Sequence, residues 1–260
     1  MAEARPSASV ILVRDSAQGL ETFMVRRHVR SAVAPNAYVF PGGTLRADDL
    51  EFDPAPDAVA LARALSERAD TPVEPVQAAA LYVSALRELF EEAGVLLVCD
   101  AEGGPVTVDD ADTTLQERLQ STRLTLQAHE LSFARVLAEW GWQPAFDRLV
   151  PFSHWVTPRL LAARFDTRFF VAEMPPGQAA LHDTIETSEG VWLSPLRALE
   201  DDYHTVYATA QHLRRISPFG SVRDLLAFAR QKPIRRVSPE VVESGSGLSV
   251  FLPPELADAW

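Results

Sequence analysis

The chain has 260 residues, of which 47% are hydrophobic and 23% charged, a composition typical of globular proteins with a substantial core. This excludes a disordered or fibrous chain, and the length suits one elaborated α/β domain. The 24 basic and 36 acidic residues give a net charge of −12, which disfavours long nucleic acids and anionic membranes as partners. A small anionic substrate remains compatible, because bound divalent cations reverse the field in an acidic site.

Cys99 is the only cysteine, so no intramolecular disulfide can form and a reducing compartment is favoured. It follows three apolar residues, which predicts a buried thiol. The N-terminus lacks a signal-like apolar stretch, and no apolar run reaches membrane-spanning length. We therefore expect a soluble cytoplasmic protein that does not bind membranes.

The first predicted elements are two strands, residues 8–13 and 22–26, which form a hairpin around a polar turn. A third strand, residues 37–40, ends at Pro41-Gly42-Gly43. Proline removes a backbone donor and glycines permit unusual backbone angles, so this turn is where we expect backbone groups to face a ligand.

Two helices are predicted next. Apolar residues at helical spacing mark the first over residues 57–69. The second begins near Pro75, is rich in alanine and leucine, and ends at Gly94, a residue typical of helix C-caps. One face of this second helix is apolar and the other carries an acidic cluster.

The rest of the chain alternates strands and helices without a parallel βαβ rhythm, which favours a mixed sheet. We predict strands over residues 95–98, 152–156, 169–173 and 190–193. Helices are predicted over residues 114–121, 128–140, 197–216 and 221–231. A flexible link, residues 243–247, is predicted to lead to an apolar segment, residues 248–252, which packs either on the domain or on a second subunit.

The acidic cluster carries the chemistry. Glu88, Glu91 and Glu92 stand at positions i, i+3 and i+4, so their side chains share one helix face. Like charges this close repel each other, and hard oxygen ligands suit Mg²⁺ or Mn²⁺. The alternative interpretation is a solvated acidic helix end.

The segment 87–95 reads Arg-Glu-Leu-Phe-Glu-Glu-Ala-Gly-Val and follows a Phe-Pro-Gly-Gly strand exit. It resembles the second half of the Nudix box at every specified position. The first half departs from the family pattern, since Asp49 stands where the family has glutamate. Residues 50–86 fill a space that normally holds seven, so thirty extra residues split the box. An insertion of this kind can be a surface excursion that leaves the glycine turn and the helix in contact.

A broader resemblance runs through residues 155–158, 164–170 and 191–195 to the Nudix branch that includes peroxisomal coenzyme A diphosphatases and bacterial relatives. The resemblance implies a Nudix α/β/α sandwich with a mixed β-sheet and helical insertions. We expect residues 1–232 to form the hydrolase domain, with the box insertion at 50–86 and a helical insertion near 111–140. Residues 233–260 form a C-terminal extension. A homodimer is compatible with the resemblance.

Site roles follow from the resemblance. Glu88 and Glu92 are expected to bind the metal, Glu91 to be a ligand or proton acceptor, and the Gly42 carbonyl a further ligand. Arg87 orients these carboxylates through charge-assisted hydrogen bonds. The further candidates are Glu186, then Glu189, as an additional metal ligand, and Arg27, Phe40, Gly43 and Arg164 for substrate binding. Arg164 and Asp166 are alternatively a structural ion pair, and His28, His154 and His182 are ordinary polar residues.

The resemblance implies a pyrophosphohydrolase that uses Mg²⁺ or Mn²⁺ and acts on a small nucleotide diphosphate. Coenzyme A or acyl-coenzyme A is the expected substrate. The first alternative is ADP-ribose, a dinucleotide or another nucleoside diphosphate derivative, because substrate choice lies in loops outside the box. The second is a non-catalytic Nudix-fold ligand-binding module, which would have no chemical need for three glutamates.

Overall fold

The structure is a computed structural model of the full chain, and it describes residues 3–50, 52, 56–104, 106–183, 185–244, 247–257 and 260. None of the helices in these segments combines the length and apolar character needed to cross a membrane.

The centre of the molecule is a mixed sheet. The strands of the described chain are β1 (Arg5–Ser16), β2 (Gly19–Arg27), β3 (Tyr38–Val39), β4 (Gly42–Thr44), β5 (Val98–Cys99), β6 (Gln143–Pro144), β7 (Val150–Val156), β8 (Phe165–Glu173), β9 (Thr187–Leu193), β10 (Arg236–Val237), β11 (Glu240–Ser244) and β12 (Gly247–Phe251). Eight of them form one sheet in the order β10-β7-β8-β1-β2-β3, with β4 paired to β1 and β9 to β2. The β1–β8 and β7–β10 pairs are parallel and the others antiparallel, so the predicted mixed sheet is confirmed.

Helices cover both faces of this sheet. They are α1 (Pro56–Arg68), α2 (Pro75–Ala93), α3 (Thr113–Gln127), α4 (Phe133–Trp140), α5 (Tyr207–Ile216) and α6 (Val222–Gln231) within the described residues. In β1, Val10 and Leu12 pack with α2, whereas Ile11 and Val13 pack with α5 and α6. Alternate side chains of a strand point to opposite faces, so a strand buried on both sides is apolar throughout. The predicted three-layer α/β/α sandwich is confirmed.

Helix α2 crosses the sheet beneath β1 and β4. It starts at Pro75, which is tolerated in a first helical turn, and ends at Gly94 with φ 69°, a left-handed cap. Every residue from 78 to 93 is buried, including the acidic face. The box insertion therefore contains the buried first part of α2 as well as α1, which packs along α2. The insertion is thus partly buried, and it leaves the glycine turn and the helix in contact.

Several element boundaries differ from the prediction. Residues 95–97 are buried but form no strand, since β5 contains only Val98 and Cys99. The helix predicted from residue 128 starts at Phe133, because His129 has a positive φ of 59° and Ser132 caps the new helix. Cys99 is only half-buried, which corrects the expected buried thiol.

The helix predicted over residues 197–216 is also shorter. A single turn, Arg197–Leu199, precedes an irregular segment, and α5 begins at Tyr207. The irregular segment is held at the sheet edge, where the Tyr38 amide donates to the His204 carbonyl at 2.8 Å and Thr205 bridges to Tyr38. These contacts with the sheet edge take the place of the helix that was predicted for this segment.

The C-terminal segment, predicted as an extension, adds β10 to the sheet and a hairpin of β11 and β12. This hairpin replaces the predicted flexible link, of which residues 245–246 lie outside the described residues. Trp260 is buried and packs edge-on against Trp155, with ring centroids 4.8 Å apart. The tail therefore packs back on its own domain, one of the two alternatives.

A buried histidine links α5 to the sheet. The Nδ1 atom of His212 contacts the Ala208 carbonyl at 2.7 Å, and Nε2 lies 2.6 Å from the Ser153 hydroxyl. A carbonyl can only accept, so Nδ1 carries the proton and the Ser153 hydroxyl donates to Nε2. Burial among aromatic rings lowers the pKa of His212 to about 3, so the ring is neutral.

This histidine makes stability depend on pH. Its folded-state pKa lies below the unfolded value of about 6.5, so its contribution is complete above pH 6.5 and is lost as pH falls toward 3. We expect the unfolding free energy of the native chain to fall by up to about 1.4 kcal/mol per pH unit more steeply than that of His212→Gln. Urea denaturation of both proteins between pH 7.5 and 5 measures the difference. Parallel slopes would contradict a neutral buried ring.

Candidate active site

The glycine turn and the acidic helix face are in direct contact. The Gly42 amide donates to Glu92 Oε2 at 2.8 Å. A Cβ added at Gly43 would collide with the Glu88 carboxylate and displace it, and one added at Gly42 would collide with the β1 backbone at Ala8 and Ser9. Thirty extra residues thus leave the two halves of the box together, as the sequence predicted.

Arg87 is the centre of a buried ion network. Its side chain is 0% exposed and donates to Asp49 through Nε at 2.8 Å and Nη2 at 2.9 Å. Its Nη1 lies 2.6 Å from Glu88 and 3.3 Å from Glu91. Burial alone would lower the pKa of Arg87, but the hydrogen bond with Asp49 and the charges of Glu88, Asp49 and Glu91 raise it instead. Arg87 is therefore permanently charged and fixes the carboxylates, the role that the resemblance implied.

Asp49 has a defined place in the structure. It lies in the single 3₁₀ turn Ala47–Leu50, is 2% exposed, and binds Arg87 with both carboxylate oxygens. It also accepts the Arg46 amide at 2.8 Å. The site residue that departs from the family pattern is thus the main partner of the box arginine. The insertion follows directly after it.

Arg46 is a site residue that the sequence analysis missed. Its two Nη atoms hold both oxygens of Glu91, at 2.7 and 2.8 Å. Burial and the Glu88 charge raise the pKa of Glu91 to about 7, against the opposing charges of Arg87 and Arg46. The only signal for Arg46 in the sequence is that it is a cationic residue close to the glycine turn.

Helix α3 supports the end of α2. Arg123 Nε and Gln127 Nε2 each donate to the Glu91 carbonyl at 2.8 Å. Arg123 also donates to the Leu181 carbonyl at 2.9 Å. These bonds satisfy carbonyls that have no partner within the helix. Neither residue was predicted, because nothing in their local spacing indicates a contact with α2.

Glu88 and Glu92 are buried carboxyl groups at the edge of a cavity. Burial raises the pKa of both; the Glu88 and Glu186 charges raise that of Glu92 further, whereas the Gly42 amide and Arg27 oppose the rise. Among the described side chains, no three His, Cys, Asp or Glu groups already stand in a metal-binding arrangement. Glu91 instead faces Arg46, Glu88 accepts from Arg87, and Glu92 accepts from Gly42. The donor set nevertheless suits a hard divalent cation, since buried carboxylates that repel one another are stabilised by one.

The cavity has a volume of about 720 Å³. The predicted site residues in its wall are Arg27, Phe40, Gly42, Gly43, Glu88, Glu92 and Glu186. Glu91 does not belong to the described wall, and its side chain is only 4% exposed. The cavity therefore joins three carboxylates to a wall that is otherwise made mostly of uncharged residues.

Other candidates lie elsewhere. Arg164 lines a separate cavity of about 370 Å³ and donates to the Thr157 carbonyl at 3.2 Å. Asp166, its alternative ion-pair partner, lies 2.7 Å from His154. Glu189 accepts the Tyr38 hydroxyl at 2.7 Å. Glu186 is thus the additional carboxylate that the structure brings to Glu88 and Glu92.

The Asp49 contact can be tested by substitution. Asp49→Ala should destabilise the fold by about 3–5 kcal/mol, because it removes the main partner of a buried guanidinium. Chemical denaturation measures this loss. The matched control is Asp48→Ala, the preceding acid in the same turn. Equal effects of the two substitutions would show that the turn, and not the ion pair, is important.

The glycine contact makes a separate prediction. Gly43→Ala should displace the Glu88 carboxylate and lower hydrolytic activity at least about tenfold, since small misplacements in a site are costly. Gly220→Ala is the control, because its added Cβ meets open space. Steady-state kinetics compare the two variants. Full activity of Gly43→Ala would mean that the position of Glu88 is unimportant.

Comparisons with known proteins agree with this architecture. The family model described as the NUDT19 Nudix domain matches residues 51–208. The acyl-coenzyme A diphosphatase NUDT19 of Xenopus laevis is 26% identical over 268 residues, which cover 90% of this chain and 70% of that protein. The human protein of the same name is 26% identical over 269 residues, covering 91% and 72%.

A solved structure is similar in fold. The NUDIX hydrolase from Alicyclobacillus acidocaldarius superimposes with a TM-score of 0.70 and 24% identity over 87% of this chain and 97% of that one. Nudix hydrolases generally use divalent metal ions and act on small nucleotide derivatives. Because the family model covers more than half of the residues, the chain belongs to the NUDT19 Nudix domain family and is a Nudix hydrolase acting on pyrophosphate bonds.

Proposed function

We propose that the protein hydrolyses the diphosphate linkage of coenzyme A or acyl-coenzyme A. The observation that carries the proposal is a single cavity in which buried carboxylates meet a long apolar surface. A substrate that has a diphosphate at one end and an extended, weakly polar arm at the other matches both parts of this cavity. The relatives named acyl-coenzyme A diphosphatases support the same substrate.

Glu88, Glu92 and Glu186 are the residues that we assign to the metal, with Mg²⁺ or Mn²⁺ as the ion. When bound, such a cation neutralises the diphosphate and supplies Lewis acidity for attack by water. The Gly42 carbonyl remains a candidate ligand, since its amide already contacts Glu92. Glu91 is assigned a positioning role here, because it faces Arg46 and lies outside the cavity wall.

Arg27, Phe40 and Gly43, the other predicted residues of the wall, bind and orient the diphosphate end of the substrate. Arg27 is fixed by a bond from Nε to the Val33 carbonyl at 2.9 Å, which leaves a cation at the cavity wall close to Glu92. A guanidinium suits the oxygens of a phosphate. Glu186 is exposed whereas Glu88 and Glu92 are buried, so Glu186 is the carboxylate that can pass the proton of the attacking water to solvent.

The reaction itself is a displacement. The oxygen of water forms a new bond to one phosphorus while the anhydride bond to the leaving phosphate oxygen breaks. With coenzyme A, the products are 3′,5′-ADP and 4′-phosphopantetheine. No covalent intermediate with the protein is needed.

The test is product analysis by mass spectrometry after incubation with coenzyme A and either Mg²⁺ or Mn²⁺. The native chain should release both products only when metal is added. Glu92→Gln should lower the rate at least about 100-fold. Glu117→Gln, an exposed acid of α3, is the control and should retain full activity.

The alternatives are separate outcomes of the same experiment. Hydrolysis of ADP-ribose or a dinucleotide without hydrolysis of coenzyme A would overturn the proposed substrate but keep the reaction. No turnover of any diphosphate with either metal would favour the non-catalytic ligand-binding module.

A further inference from the structure

The part of the cavity away from the carboxylates has a regular floor. Three residue pairs of the parallel strands β1 and β8 form it, namely Ser9 with Phe169, Ser7 with Thr167, and Arg5 with Phe165. Alternate residues of a strand point to the same side, so these side chains share one face. Ser9 is also paired with Gly42, which places the carboxylate end beside the first pair. Four residues of strand separate Ser9 from Arg5, a distance of about 13 Å.

The walls of this floor are mostly apolar. One wall is the end of β7 and the segment after it, with Val156, Pro158 and Leu161. A second wall is the start of α5, with Val206 and Tyr207. We call the part of the cavity between these walls, above Phe165, the apolar arm. The acidic residues of the described cavity wall, Glu88, Glu92 and Glu186, belong to the other end.

The chain enters the C-terminal hairpin near the Phe165 end of the cavity, because β10 runs parallel to β7 with Val237 paired to Trp155, and Trp155 is paired to Thr167. Pro239, just before β11, and Val250, in β12, both line the cavity. Val250 is paired with Val241, and both side chains are partly buried. Val242 lies on the opposite face of the hairpin and is 49% exposed. One face of the hairpin therefore contacts the cavity and the other faces solvent.

The hairpin lies outside the part of the chain that the family model matches. The match ends at residue 208, whereas β11 begins at Glu240. Substrate discrimination commonly resides in segments around a catalytic centre and not in the centre itself.

We propose that the apolar arm receives the acyl chain of an acyl-coenzyme A substrate, and that Val250 sets the chain length that fits. The inference rests on the proposed function, because it concerns the same cavity. A buried methylene contributes about fourfold in affinity, so a chain that fills the arm is favoured over free coenzyme A. A chain longer than the arm meets the hairpin.

The experiment compares kcat/KM for free, acetyl-, octanoyl- and palmitoyl-coenzyme A in three proteins with bound metal. In the native chain, kcat/KM should rise from the acetyl to the octanoyl substrate. Val250→Trp fills the end of the arm and should lower kcat/KM for the octanoyl and palmitoyl substrates at least about tenfold. Free coenzyme A should change less than twofold. Val242→Trp adds the same bulk on the other face of the hairpin. It should leave kcat/KM for both free and acylated coenzyme A unchanged.

A second variant distinguishes the loss of a contact with the acyl chain from misfolding of the protein. Val250→Ser removes apolar surface without adding bulk, and should weaken the preference for octanoyl- over acetyl-coenzyme A several-fold. Equal losses for all substrates, or no loss in either Val250 variant, would overturn the inference while the proposed function stands. If the native chain cleaves neither free nor acylated coenzyme A, the proposed function fails and the inference with it.

Discussion

The structure of the site depends on one buried cation. Arg87 is withdrawn from water and joins three separate segments, because it binds Asp49 in the 3₁₀ turn, the Thr44 carbonyl in β4, and Glu88 and Glu91 in its own helix. A buried guanidinium is tolerated only when nearly all of its donors are satisfied. These bonds hold the glycine turn and the acidic helix face in contact. The bond from Gly42 to Glu92 and the pair of Arg46 with Glu91 support the same arrangement.

The sequence predicted those parts of the site whose residues lie close together in the chain. Glu88, Glu91 and Glu92 could be placed on one face from helical spacing alone, and Arg87 from the box motif. The partners of these residues could not be predicted, since Arg46 and Asp49 reach α2 only through the tertiary fold. For the same reason, spacing could not show that Glu91 turns away from the cavity toward an arginine.

The fold was predictable to a similar depth. The first hairpin and helix α2 have strong local patterns and clear end signals, so their positions were nearly correct. Residues 200–206 were expected to be helical as part of the segment 197–216, but the Tyr38 amide donates to the His204 carbonyl at the sheet edge. Residues 243–247 were predicted to be a link because they are mostly glycine and serine, whereas β11 and β12 on either side pair with each other. Whether such a segment forms a strand or a helix depends on pairing with residues distant in the chain, which composition does not reveal.

The buried carboxylates of α2 also bear on how this protein can change over evolutionary time. Glu88 and Glu92 are desolvated and repel each other, so without a cation they oppose folding. Neutral glutamines of nearly the same shape would relieve that repulsion and make the fold more robust. A lineage released from selection for hydrolysis would thus gain stability by losing its glutamates, and drift would remove them readily. Their joint presence marks a chain in which selection for chemistry still outweighs selection for stability.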